Sequence, residues 1–116
     1  MADGSGGIKV VDVKDPAVPK LAAALVASGY ARSVSASGQR LGVGCLYDGG
    51  FQIFDLSKAD APALVSTNKY TMYNEGWRIV LDGDSAIVID YFSGIFFVDI
   101  ADPAKAKVRA HVPVTK

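Results

Sequence analysis

One phrase occurs three times in this chain, and no other feature restricts the fold as strongly. It reads GGIKVVDVKDPAVPKL from Gly6, GGFQIFDLSKADAPAL from Gly49 and SGIFFVDIADPAKAKV from Ser93. The copies start 43 and then 44 residues apart. A period in this range belongs to solenoids, propellers and arrays, whose units bury their apolar faces only against neighbouring units.

Each copy opens as a strand. Ile8, Val10 and Asp12 alternate with Lys9, Val11 and Val13, and residues 51–56 and 95–100 repeat the pattern with β-branched and aromatic residues. A turn follows each time, at residues 14–16, 57–60 and 101–103. Asp bonds the backbone two residues on and Pro presets φ, so Asp-Pro is a turn with a mechanism. Second strands are expected at 20–26, 63–69 and 107–112. The first of these, LAAALVA, has helical propensity, but its register with Leu64-Val-Ser-Thr and Val108-Arg-Ala-His favours a strand.

Two further strands lie between copies. Residues 32–37 alternate, turn at Gly38 and return over 41–45. Residues 77–81 turn at Asp82-Gly83 and return over 86–89. One repeat is therefore four antiparallel strands, the blade of a β-propeller. The expected fold class is all-β, a partial β-propeller of about two and a half four-stranded antiparallel blades. The expected single domain divides into a half blade at 1–28 and whole blades at 29–72 and 73–116. Residues 1–7 stand where residues 46–50 stand in the next copy, so the pattern enters in mid-blade without that blade's first two strands. This predicts an exposed strand edge from Ile8 to Val13 and self-association, with a dimer favoured.

The threefold phrase, together with the intervening YARSVSASGQRLGVGCLYDGG, resembles the LVIVD repeat family across essentially the whole chain. The resemblance implies a β-propeller and no particular activity, and it implies a cell-surface or secreted setting for full-length relatives. The second copy departs from the phrase with Lys58-Ala-Asp60, and the third has Ala106 where the others have Pro19 and Pro62.

Composition narrows the function classes. The 12 basic and 12 acidic residues cancel, which gives no electrostatic case for nucleic acid and permits self-association. The lone cysteine, Cys45, forms no intrachain disulfide. No apolar run is long enough for a membrane span, and the N-terminal residues have no signal-peptide pattern.

The chemistry-bearing residues read mostly as structural. Asp12, Asp55 and Asp99 recur at one repeat position and are expected to cap the following turns rather than to gather around a metal. His111 is expected on a solvent-facing strand and Cys45 as a small buried hydrophobe, so neither metal nor cofactor is expected. Gly4-Ser-Gly-Gly7 and Gly42-Val-Gly44 open no helix and lack a following Lys-Ser/Thr, so they serve hairpins and close packing.

The stronger functional signal comes from topology. The loops that share one end of the blades carry Tyr30, Arg32, Tyr47, Asp48, Tyr73, Asn74, Glu75, Trp77, Arg78, Asp90 and Tyr91. The same loops carry Tyr70 and Phe92, which stand outside this candidate set. Aromatic and arginine residues grouped on loops are the composition of a binding face, although the same aromatics also suit packing between blades. Arg32 and Arg78 occupy similar places in their strands, facing a ligand or pairing with Asp48 and Asp90.

The leading expectation is a non-catalytic binding or scaffold module with a protein or glycan partner. The alternatives are a fragment of a larger hydrolase-like propeller, its carboxylate pair drawn from Glu75, Asp82, Asp84 and Asp90, or a piece of a cell-surface protein with no independent activity.

Overall fold

The computed structural model describes residues 1–58 and 60–114. Ala59, inside the expected turn at 57–60, and Thr115 and Lys116, at the end of the third expected unit, lie outside them. The chain forms three antiparallel sheets in sequence order. The first pairs β1 (Ile8–Asp12) with β2 (Lys20–Leu25). The second runs β3 (Tyr30–Ser37), β4 (Arg40–Leu46), β5 (Gly50–Asp55) and β6 (Ala63–Asn68). The third runs β7 (Gly76–Asp82), β8 (Ser85–Asp90), β9 (Gly94–Asp99) and β10 (Lys107–Val112). Every expected strand is present, including 20–25, where the LAAAL segment is a strand and not a helix.

The local chemistry acts as the residue types dictate. Asp12, Asp55 and Asp99 each accept a hydrogen bond from the backbone N–H two residues on, at 2.9, 2.7 and 2.9 Å, and so cap the turns that follow. Asp102 caps a short 3₁₀ turn over Pro103–Lys105 that periodicity did not anticipate. The β7–β8 hairpin turns at Gly83-Asp84, one residue later than expected, with Gly83 at φ 58°.

The repeat also extends to irregularities. Strands β2, β6 and β10 each carry a bulge at the same repeat position, leaving Ala22, Val65 and Arg109 unpaired. Strands β3 and β7 carry a matching pair, at Arg32 and Trp77. This register corrects one expectation: Arg32 is equivalent to Trp77, and Arg78 is equivalent to Ser33.

The sheets stack face to face in a row, with overall dimensions of 47 × 27 × 20 Å. Ile8 of the first sheet meets Ala31, Leu41, Val43, Cys45 and Phe54 of the second. Phe51 and Ile53, on the opposite face of the second sheet, meet Ile79, Leu81, Val88, Phe96 and Ile100. Burying each such side chain contributes roughly 1.5–3 kcal/mol. The middle sheet is covered on both faces, so β4 and β5 are buried almost throughout. The third sheet is covered on one face only, and β8 alternates strictly between buried and exposed residues.

The junction between the second and third sheets is unusually close. A Cβ at Gly44 would sit 2.7 Å from the Gly76 carbonyl oxygen, and one at Gly42 would sit 2.9 Å from Ile79 Cδ1. Across this gap Ser33, Ser35 and Ser37 accept hydrogen bonds from the backbone N–H groups of Ile79, Leu81 and Gly83, at 3.2, 2.9 and 3.1 Å. The alternating hydroxyls of β3 thus satisfy the free edge of β7. At one end of the junction, Arg40 donates to Asp84 Oδ1 and to the carbonyls of Gly83, Ile100 and Ala101.

The free edge of the first sheet is shorter than the predicted span from Ile8 to Val13. Ala2 bridges Ile8, and Met1 exchanges two backbone hydrogen bonds with Lys9. Beyond Lys9 the outer edge of β1 has no strand partner among the described residues.

Candidate functional site

The predicted loop face lies at the end of the sheets opposite Arg40. Its centre is the β4–β5 hairpin, where Gly49 N–H donates to the Leu46 carbonyl at 3.2 Å. The two central residues, Tyr47 and Asp48, both sit at φ 59°. Positive φ at both centres is the type I′ turn that usually takes Asn-Gly, because a Cβ in the left-handed region costs about 1–2 kcal/mol per residue. Here the turn is held from outside. The Glu75 carboxylate accepts from Tyr47 N–H at 2.9 Å and from Asp48 N–H at 3.0 Å, one oxygen to each. Such charge-assisted bonds are roughly twice as strong as neutral ones.

Asp48 fixes the other side of the turn. Its Oδ1 accepts from Asn74 Nδ2 at 2.9 Å and Asn74 N–H at 3.2 Å, and Lys69 pairs with Oδ2 at 3.1 Å. The Asn74 bond first, and Lys69 second, hold the Asp48 carboxyl below its ordinary pKa. Asn74 is itself buried, and its Oδ1 accepts from the N–H groups of Tyr70 and Thr71. Asp90 is buried as well. It accepts from Tyr70 Oη and Glu75 N–H at 2.8 Å each, and from the N–H groups of Phe92 and Ser93 at 2.9 Å each. Burial, and then the Asp90 carboxylate, push the Tyr70 hydroxyl well above its ordinary pKa, so it remains a donor. Asn74, Glu75, Asp90, Asp48 and Tyr70 therefore form the frame of the face. Tyr70 packs between the sheets, 4.6 Å from the Phe96 ring and 5.9 Å from the Phe51 ring.

The side chains the frame presents are different in kind. Tyr47 is 74% exposed, Tyr91 60% and Phe92 63%. Trp77 stands among them, 5.2 Å from Tyr91, and Tyr91 meets Phe92 edge-on at 4.9 Å. Tyr47 meets Tyr30 edge-on at 5.6 Å. Together Leu46, Tyr47, Glu75, Trp77, Tyr91 and Phe92 line an open cleft of about 340 Å³. Tyr73 is exposed on the neighbouring loop and lines none of the clefts on this face.

The other wall of Trp77 belongs to a second cleft of about 510 Å³, lined by Arg32 and Arg78 with Ser33, Ser35 and Val80. The two residues at equivalent bulges face each other, with the Arg32 guanidinium 4.4 Å over the Trp77 ring. The expected alternative, pairing of Arg32 and Arg78 with Asp48 and Asp90, does not occur, because those carboxylates hold Asn74, Lys69 and the Tyr70 network. Among the described residues neither arginine has a carboxylate partner, whereas Arg40 and Arg109 are paired with Asp84 and Asp99.

The candidate set thus divides into a frame of Asp48, Asn74, Glu75 and Asp90 and a presented group of Tyr30, Arg32, Tyr47, Trp77, Arg78 and Tyr91. Leu46 and Phe92 join the presented group. Phe92 stands one residue past Tyr91 in the same loop, a signal that loop position alone carried. The carboxylates considered for acid–base work do not converge, since Asp82 and Asp84 lie at the far hairpin and Asp90 is saturated with donors. Among the described residues no three His, Cys, Asp or Glu side chains gather to hold a metal. Cys45 is fully buried, and burial raises its thiol pKa. His111 is exposed, but its ring stacks flat on Phe96 at 4.1 Å, with Nε2 2.6 Å from the Ser93 carbonyl oxygen. Among the described residues no helix is long and apolar enough to cross a membrane. No family model matches the chain, and no curated protein matches it.

Proposed function

We propose that this chain is a non-catalytic binding module of the LVIVD β-propeller type, acting through its loop face on a protein or glycan. The observation that carries the reading is the contrast within that face. A frame of satisfied hydrogen bonds holds Tyr47 in a left-handed conformation, and it presents Tyr47, Tyr91 and Phe92 largely to solvent. Strained backbone held by its surroundings clusters at functional sites, and exposed aromatic side chains on a rigid base are effective anchors for a partner. The propeller geometry is supported by the face-to-face stacking of successive four-stranded sheets and by bulges that recur with the repeat. Replacing Tyr47, Tyr91 and Phe92 together by Ala is expected to leave the circular dichroism spectrum and the unfolding midpoint nearly unchanged and to abolish partner binding. Unfolding of that variant, with no partner found for the wild type, overturns the reading.

The module also associates with itself, most simply as a dimer. The support is the apolar outer face of the third sheet, where Val80, Ile87, Ile89 and Phe97 are each more than a third exposed. Light scattering is expected to give twice the chain mass, and a monomer at the highest soluble concentration overturns this part.

A further inference from the structure

We propose that the ligand of the loop face is an acidic saccharide, its carboxylate seated between Arg32 and Arg78 and a sugar ring lying on the aromatic cleft beyond Trp77. The inference rests on the binding reading above and adds the ligand's chemistry. Trp77 is the shared wall of two clefts, one lined by both arginines and the other by Tyr47, Tyr91 and Phe92. The basic cleft contains no carboxylate, and both of its guanidinium groups lack an anionic partner among the described residues. Guanidinium is a fixed charge whose planar fork matches a carboxylate in bidentate fashion, so the pair calls for an anion. The one carboxylate in the aromatic cleft, Glu75, is already engaged by two backbone N–H groups.

The aromatic cleft argues for a ring with an apolar face. It is open, and its wall includes Tyr91 and Phe92, which meet edge-on, and Trp77, whose ring is tilted 39° to that of Tyr91. Such a surface suits a pyranose, which presents C–H groups on its faces and hydroxyls around its rim. The serine hydroxyls beside the arginines accept from β7 and keep their own protons free to donate to those hydroxyls.

Trp77 is the only tryptophan, so its fluorescence reports this junction without a label. The wild-type chain is titrated with a hexamer of galacturonic acid, with neutral maltohexaose and with hexaglutamate. Saturable quenching is expected with the uronate hexamer, weakening as salt rises, with at least tenfold weaker responses to the other two. Arg78→Gln, at an exposed position without a carboxylate partner among the described residues, is expected to weaken uronate binding by about tenfold, the scale of one charged hydrogen bond. Tyr91→Ala is expected to weaken it comparably. Equal binding of maltohexaose overturns the acidic component and leaves the binding face standing. Equal binding of hexaglutamate overturns the saccharide in favour of a general anion site. No response to any probe, with Arg78→Gln indistinguishable from wild type, overturns the proposal, while capture of another partner through Tyr47 and Phe92 would still uphold the face.

Discussion

The junction face of the second sheet and the outer face of the third use equivalent repeat positions in opposite ways. Where the second sheet receives the third, β4 presents Gly42 and Gly44 and β3 presents Ser33, Ser35 and Ser37. At the same register positions the outer face of the third sheet presents Ile87 and Ile89, with Arg78, Val80 and Asp82. The junction is closed by removing side chains until backbones nearly touch and by supplying hydroxyls to satisfy an edge strand. The outer face keeps large apolar groups and lacks those hydroxyls, so it cannot accept another strand in the same close geometry. One repeat therefore yields a finished interface and an unfinished one, and the difference lies in five side chains rather than in the strand pattern.

The largest expected effect comes from cavity formation on the finished side. Ile79→Ala, in the junction, is expected to cost about 4 kcal/mol in urea unfolding, whereas Ile87→Ala on the outer face costs about 1 kcal/mol or less. Equal costs would mean that the outer face is covered in solution. Gly44→Val installs the outer face's bulk in the junction, where a carbonyl and not a flexible side chain stands in the way. It is expected to cost about 3 kcal/mol, and a neutral result would show that the sheets can part. Ser35→Ala orphans the Leu81 N–H and is expected to cost about 1–2 kcal/mol, with faster hydrogen exchange at Leu81 than at Val88.

A smaller effect of opposite sign is expected at the loop face. Tyr47→Gly relieves a side chain at φ 59° and is expected to raise stability by about 1 kcal/mol while weakening ligand binding. Loss of stability would show that the ring packing on Tyr30 outweighs the strain. The smallest effect is the pH response of the turn caps. The Ser57 backbone bond lowers the Asp55 pKa, and Arg109 followed by the Ala101 backbone bond lowers that of Asp99. Depressed folded values mean that these carboxylates add stability above the unfolded carboxylate value of about 3.9, and that the addition fades as pH falls below it through the folded values. Asp55→Asn with Asp99→Asn is expected to reduce the difference in stability between about pH 6 and about pH 3, and an unchanged difference would place the acid sensitivity elsewhere.

Much of this was legible from residue types alone. Period-two alternation and the register of the repeat located all ten strands, and Asp followed by a turn located the three caps, because alternation and turn chemistry depend on contacts a few residues apart. The loop face was legible as a grouping, but not its division of labour. Glu75, Asn74 and Asp90 look as available as Arg78 in sequence, yet their oxygens are filled by backbone donors that no spacing rule reveals. Arg32 and Arg78 looked equivalent because each follows a loop by a similar interval. The matching bulges put Arg32 in register with Trp77 and leave Arg78 one residue further along, and one residue moves a side chain to the other face of a strand.

The sequence by itself determined the strands, their order, their grouping into one half repeat and two whole repeats, and the end of the sheets on which the aromatic residues gather. These follow from short-range periodicity and turn chemistry, which act before any two sheets meet. Only the tertiary structure decided which apolar faces are covered, that β3 hydroxyls complete β7, that Glu75 holds Tyr47 in a left-handed turn, and that Arg32 stacks on Trp77 while Arg78 has no carboxylate partner among the described residues. These depend on groups 28 to 46 residues apart meeting to within hydrogen-bond or ring-contact distance. That meeting is set by the depth of packing between sheets, which alternation in a strand does not encode.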